Sequence, residues 1–403
     1  MKTFIILWLG QLFSSVGSNM TYFTLTLWVW QKTESATAIA LILVFYQLPQ
    51  VIITPLTGIL IDRTSRKQLL IISDSGSACC TISVGILAFF GILQVWHIYL
   101  IASIIGCFGN IQSLTYSTLI PLILPERHHT RASSMGAMVV YGAGIISPAL
   151  AGVLFPLIGL LGITLIDMVT FAIAFCSILI IYIPHTINQD QEKVNHIKNF
   201  TFGFRYIYSH PELLSMVIMV SLFSFLNDIG ETLYQPMILA KTDGNSQILG
   251  VVVAGGGFGG IVGGIVISIW GGFKQRSKGI FTGFIGTGLS TLILGLTSTL
   301  WIVARFAWSF HNPLIMSSYM AMWYEKTSTK IQGRVLAADY LIGIIVGTSA
   351  SLTAGILADH IFEPLLQSQF SLSAGNGMAL LIAVSGISII ILSLVASRFK
   401  LNI

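Results

Sequence analysis

The sequence predicts an all-α integral membrane protein with 12 transmembrane helices in two six-helix bundles. Three observations carry that reading. Of the 403 residues, 54% are hydrophobic and only 9% charged, with a mean hydropathy of +0.86, whereas a soluble domain carries about 25% charged residues. Mostly apolar segments of at least 18 residues, long enough to cross a bilayer, recur twelve times. One polar stretch, 184–211, divides these segments six and six.

Taken in order, the first span (4–30) starts in "MKTFIILWLGQLFSSVGSNM" and continues into further apolar sequence without a small-residue cleavage site. It reads as a retained helix rather than a signal peptide. Spans 37–60 and 69–92 flank the basic turn "IDRTSRK", and spans 97–122, 133–157 and 160–183 complete the first bundle, residues 1–183. Residues 184–211 form a cytoplasmic central loop containing "INQDQEKVNHIKNF". Its end, "TFGFRYIYSH", is short, aromatic and basic, which suits a helix lying at the membrane interface. Spans 212–238, 247–270, 279–298, 300–323, 335–358 and 376–397 make the second bundle, residues 212–403. Cys79, Cys80, Cys107 and Cys176 all fall within apolar segments and read as packing residues.

Charge sorting sets the orientation. With both termini in the cytoplasm, 17 of the 20 Lys and Arg fall on the cytoplasmic side; the exceptions are Lys32 and Lys241 outside and Arg305 within a span. This positive-inside pattern accounts for the net charge of +5 and argues against a nucleic-acid surface. An internal echo supports a parallel pseudo-repeat. "RASSMGAMVVYGAGIISPALAGVL" from Arg131 and "RVLAADYLIGIIVGTSASLTAGIL" from Arg334 place Gly152 and Gly355 each 21 residues after the Arg, in spans five and eleven.

The turn after the second span reads "GILIDRTSRKQLL": Gly58, Asp62, Arg63, Arg66 and Lys67 in sequence. Here the chain resembles the major facilitator superfamily, whose signature in this loop is Gly-x-Leu-x-Asp-Arg-x-Gly-Arg-Lys, with Ser65 standing where the second glycine is usual. The resemblance implies a gating loop that latches the two bundles in one state, Asp62 pairing with a neighbouring helix. The fifth span carries "AGIISPALAG", where proton antiporters of the superfamily have Gly-x-x-x-Gly-Pro-x-x-Gly-Gly; here the positions are Ala143, Ser147, Pro148, Ala151 and Gly152. Small residues at this spacing make a packing stripe, and Pro148 is expected to kink the helix. The stretches "PLILPERHHTRA", "LIDMVTFAIA", "GFRYIYSHPELL" and "IQGRV" are similar to the branch holding macrolide-efflux proteins and the enterobactin exporter. The resemblance covers essentially the whole chain and implies the major facilitator fold and the cell membrane.

The resemblance also implies that spans 1, 4, 7 and 10 line a central cavity. Span 7 then contributes Asp228 and Glu231 within "FLNDIGETLYQP", and span 10 contributes Arg305 and His311 at similar depths. Carboxylates three positions apart share a helical face, and buried charges in hydrocarbon cost several kcal/mol unless paired. One carboxylate beside Arg305 is expected to stay ionised, while its neighbour loads and releases protons. A static ion pair fixing helix packing, or direct binding of a cationic substrate, are the alternatives. Asp167 in "LIDMVTF" is a further coupling candidate with a structural alternative, and Asp74 and Asp339 are expected to pair with loop arginines. Gln11, Asn19, Asn110, Gln112 and Tyr116 could line the substrate cavity or join helix–helix hydrogen bonds.

"GGGFGGIVGG" has no Gly-Lys-Ser/Thr and lies within an apolar span, so it reads as helix packing rather than a nucleotide loop. The eight histidines supply no cluster at one depth, which disfavours an embedded enzyme. The expected function is export of an amphipathic small molecule by alternating access with proton antiport; import or uniport by the same fold is the alternative. The expected partners are a small-molecule substrate, protons and the lipid bilayer. The chain is expected to act as a monomer, without cofactor, metal, nucleotide or nucleic acid.

Overall fold

A computed structural model describes residues 2–125, 129–181, 196–328, 331–371 and 373–398. Their regular structure is helical, in the order α1 (Lys2–Thr33), α2 (Ala36–Arg63), α3 (Arg66–Phe89), α4 (Val95–Ile123), α5 (His129–Ile180), α6 (His196–Ser209), α7 (Pro211–Lys241), α8 (Ser246–Trp270), α9 (Arg276–Leu296), α10 (Trp301–Lys326), α11 (Gln332–Leu357), a π turn (Ala358–Phe362), α12 (Glu363–Phe370) and α13 (Asn376–Arg398). Among the described residues, nine helices are long and apolar enough to cross a membrane. That is fewer than the twelve expected segments. The expected spans 133–157 and 160–183, the latter as far as Ile180, fall in the 52-residue α5, which is broken at Gly159 (φ 63°, ψ −172°), a left-handed conformation that glycine adopts without strain. The helices α1 and α10, covering two further segments, are not among the nine. The break lies at Gly159 and not at Pro148, which sits inside α5 without non-helical dihedrals of its own.

Large apolar side chains point away from the helix contacts. Ile52 is 73% exposed, Leu157 74% and Ile269 84%, a surface that suits lipid. Lipid tails are as apolar as these side chains, so helix association must come from close packing and internal hydrogen bonds.

The chain contacts divide into two compact units: Met1–Glu34, Leu41–Asp190 and Gly244–Ala254 form the first, and Ser35–Ala40, Gln191–Asp243 and Gly255–Ile403 the second. In the first unit, Lys67 donates to the carbonyls of Leu179 and Ile181 at 2.9 and 2.8 Å, neutralising the negative end of α5. Ser65, in the position where glycine is usual, caps α3 by accepting from the Gln68 N–H. The contacts of Gly58 and the side chains of Asp62 and Arg63 lie outside the described residues. The stripe on α5 is a packing device: Ser147 Oγ donates to the Val16 carbonyl, and Ala143 and Ala151 are buried. A Cβ at Gly152 would come within 2.6 Å of the Ser246 carbonyl oxygen at the start of α8.

The second unit packs around a stacked pair, Phe223 and Phe284, with Trp323, Met322 and Val335 buried beside them. Here Gly355, the counterpart of Gly152 in the internal echo, meets Thr37 in the first turn of α2, where a Cβ would fall 2.7 Å from Thr37 Cα. Both echoed glycines therefore admit the first turn of another helix. That turn of α2 is capped by Asp359, which accepts from Ser35 Oγ and from the N–H groups of Ala36 and Thr37. The aromatic helix α6 packs on α11, with Gly203 against the Arg334 carbonyl and the Arg334 guanidinium 4.4 Å from the Phe202 ring centre.

The glycine run of α8 also serves packing. A Cβ at Gly259 or Gly263 would lie 2.1 or 2.2 Å from the carbonyl oxygens of Phe306 and Phe310 on α10. Gly259→Ala is expected to lower stability by roughly 1–3 kcal/mol, seen as a lower thermal midpoint of the detergent-purified protein. Gly264, where nothing lies within 4 Å, is the control; Ala there is expected to leave the midpoint unchanged or raise it.

Candidate functional site

Local sequence explains how two charged side chains come to lie side by side in the second unit. Glu231 lies on α7 and Arg305 on α10, and the backbone between them is kept thin by glycine. Gly230 leaves room for the Trp308 ring, and Gly256 on α8 leaves room for the stem of Arg305, where a Cβ would fall 3.0 Å from Trp308 and 2.9 Å from Arg305 Nε respectively. Arg305 Nη1 and Nη2 then donate to Glu231 Oε2 and Oε1 at 2.6 and 2.7 Å. This is the bidentate geometry that makes guanidinium–carboxylate pairs strong.

Two aromatic rings complete the seat of the cation. The Arg305 guanidinium carbon lies 4.3 Å from the Tyr234 ring centre and 4.7 Å from that of Trp308. Trp308 Nε1 in turn donates to Asn227 Oδ1 at 2.8 Å, and Asn227 Nδ2 to Asp228 Oδ1 at 3.2 Å. Exposure is unequal: the Arg305 side chain is 11% exposed and that of Glu231 40%. The arginine is fixed within the helix contact, while the carboxylate keeps access to its surroundings. With one guanidinium and two carboxylates, the cluster carries one negative charge when both acids are ionised.

His311 does not join this network through a described bond. Its Nδ1 bonds to the Ala307 carbonyl at 2.6 Å, and its ring packs against Gly286 of α9. Asn227, Tyr234 and Trp308 were missed from the sequence. Their signal was spacing: Tyr234 is three residues beyond Glu231, Trp308 three beyond Arg305, and Asn227 four before Glu231.

The first unit gathers a second set of polar groups. A cavity of about 230 Å³ is walled by α1, α2, α3, α4 and α5, and Asp74, Gln112, Asn19 and Asp167 line it. Asp74 is not paired with a loop arginine as expected. It accepts from Gln11 at 3.2 Å and from Gln112, since it faces inward from α3 toward α1 and α4. Asp167 accepts from Ser18, Thr21 and Thr81. Asn110 instead bridges α4 to α2 through Thr54 and Thr57, and Tyr116 packs with Leu7 and Phe4. In the second unit Asp339 likewise accepts from the Tyr319 hydroxyl rather than from an arginine.

Comparison with known proteins identifies the kind of molecule this is similar to. The family model described as transmembrane secretion effector (MFS_3) matches residues 1–385. Macrolide efflux protein A of Streptococcus pyogenes is 23% identical over 363 residues, covering 89% of this chain and 90% of that protein. Among solved structures, a POT family transporter in complex with 5-aminolevulinic acid has a TM-score of 0.76 at 12% identity, covering 100% of this chain and 97% of its own. A bacterial homologue of the human lysosomal transporter Spinster has a TM-score of 0.74 at 13% identity, covering 100% and 96%. The two structural likenesses are of fold.

Breaking the ion pair strands a buried guanidinium. Glu231→Gln is expected to lower stability by about 3 kcal/mol, the low end for a broken buried pair because Glu231 is partly exposed. Combining it with Arg305→Met is expected to recover at least half of that loss in a double-mutant cycle. Strictly additive losses in unfolding measurements would show that the two side chains are not coupled.

Proposed function

We propose, from the premise that this chain belongs to the major facilitator family of transmembrane secretion effectors, that it is a proton-driven exporter of an amphipathic small molecule. In this reading it is a monomeric transporter of the cell membrane with twelve spans in two bundles and both termini in the cytoplasm. It works by alternating access, with residues 58–67 as the gating loop.

The observation that carries the proposal is the cluster of Asp228, Glu231 and Arg305. A membrane-embedded acid is a functional candidate by default, and these two acids share one face of α7, with Arg305 paired to Glu231 and Asn227 bonded to Asp228. A proton arriving on Glu231 weakens the charge-assisted bonds to Arg305. A proton on Asp228, held by a single amide donor, neutralises the cluster's remaining charge. A cationic amphipathic substrate would compete for that same charge, and competition of this kind is what exchange requires. The relative named for macrolide efflux supports a macrolide or another amphipathic small molecule as the cargo. Asp167 is the reserve coupling candidate.

The decisive measurement follows protons in everted membrane vesicles under an imposed pH gradient. Wild type, Asp228→Asn, Glu231→Gln and Asp167→Asn are compared on addition of a macrolide or another amphipathic compound. Wild type is expected to release protons on substrate addition. Asp228→Asn or Glu231→Gln is expected to bind substrate but lose at least 10-fold in exchange. Normal exchange in both would reduce the cluster to a structural pair and move attention to Asp167. Substrate movement without protons in wild type would favour uniport.

A further inference from the structure

We infer that the apolar groove where α6 meets α7 and α11 in the second unit is a binding site for an anionic phospholipid of the surrounding bilayer, its acyl chain in the groove and its phosphate on Arg205. Three observations converge on it. First, α6 divides into two faces. Gly203 and Ile207, four residues apart, turn inward: a Cβ at Gly203 would fall 2.3 Å from the Arg334 carbonyl oxygen of α11, and Ile207 is 3% exposed. Arg205 and Tyr208, three residues apart, are exposed on the other side, Tyr208 to 77%. A helix with one face packed and a cation and a phenol on the other has the pattern of helices that lie in a membrane interface.

Second, the groove lies at the depth such a lipid occupies. Its apolar walls are Phe204 and Ile207 of α6, Leu214 and Val217 of α7 and Ile342 of α11, and its volume is about 440 Å³, within the ~300–1,000 Å³ of small-molecule sites. His210 alone separates α6 from α7, and α7 is long and apolar enough to cross a membrane. Leu214 and Val217 fall in the first two turns of α7, about 4.5 and 9 Å from its start at ~1.5 Å per residue. Interfacial helices bury their apolar faces ~5–10 Å into the boundary between headgroups and acyl chains. An acyl chain in the groove therefore continues the hydrocarbon layer, while Arg205 and Tyr208 stand at its rim.

Third, the rim carries a charge that the nearby acid does not answer. Among the described residues, Arg205 is the one charged side chain lining the groove, and no described acid pairs with it. The nearest acid in the sequence, Glu212 in the first turn of α7, is held by Lys326 Nζ at 2.5 Å. Arg334, the cation of α11 beside α6, is turned onto the Phe202 ring at 4.4 Å. Arg205 is thus left for a ligand from outside. A phosphate accepts from a guanidinium in the same two-pronged way as a carboxylate. An anionic phospholipid joins that phosphate to an acyl chain in one molecule, and membranes rich in such lipids attract Lys and Arg at their surface. Charge and groove together therefore select an anionic amphiphile over a neutral one.

The site is independent of the coupling role proposed for Asp228 and Glu231. The full-length protein in a non-ionic detergent is titrated at constant ionic strength and pH with dioleoyl phosphatidylglycerol, dioleoyl phosphatidylcholine or inorganic phosphate, and its thermal midpoint is read. Phosphatidylglycerol is expected to raise the midpoint saturably and further than phosphatidylcholine, and inorganic phosphate to leave it unchanged. Arg205→Gln changes an exposed side chain, so it is expected to fold as wild type does and to bind phosphatidylglycerol about 10-fold more weakly. Leu214→Trp fills the groove but keeps the cation, and is expected to weaken binding likewise. Lys274→Gln, at an exposed cation outside the groove, is expected to keep the shift in full. Equal shifts with the two lipids would overturn the proposal, and so would an equal shift with inorganic phosphate, which needs no groove. A shift that persists in Arg205→Gln, or that falls as far in Lys274→Gln, would mean adsorption by overall charge and overturn it as well.

Discussion

A charge inside a low-dielectric slab persists only where an opposite charge or several donors stand within a few ångströms, and the interior acids of this chain are arranged around that constraint. Glu231 has the guanidinium of Arg305, Asp339 the hydroxyl of Tyr319, and Asp359 the first turn of α2. Asp167 has three hydroxyls and Asp74 two amides. These solutions differ in what they leave over. A bidentate guanidinium cancels a charge, whereas hydroxyls and amides orient a carboxylate without cancelling it.

The same environment dictates how the helices adhere. Burial of apolar area gives little drive between helices in lipid, so contact must be close enough for dispersion and backbone hydrogen bonds to hold. Gly259 and Gly263 bring α8 onto the backbone of α10, and Gly152 brings α5 onto the start of α8. Packing and chemistry meet at Gly256, one turn from Gly259. The close approach there lets the Arg305 stem lie flat, which aims its two terminal nitrogens at Glu231. A side chain at that position would press on the Arg305 guanidinium at Nε and so disturb the ion pair.

Much of this was readable from residue order, because hydropathy and charge are local properties. The long apolar segments, the basic turn at 63–67, the role of "GGGFGGIVGG" in packing and the family all follow from the string of residues. Glu231 and Arg305 could be singled out because a charge within an apolar run is conspicuous whatever the fold. Which partner each charge takes was not readable. Partnership depends on helix rotation and on contacts between residues far apart in sequence, as with the 74 positions separating Arg305 from Glu231. Hence Asp74 turned to Gln11 and Gln112, Asn110 to α2, and His311 to its own backbone. Ser65, a departure from the expected glycine, proved to be a helix cap, because a hydroxyl satisfies the N–H that the turn leaves open. Sequence thus established the solvent this chain belongs in and the charges it keeps there, since both are written in composition and spacing. The fold alone chose their neighbours, since a counter-charge or a cavity exists only once helices from distant parts of the chain are set side by side.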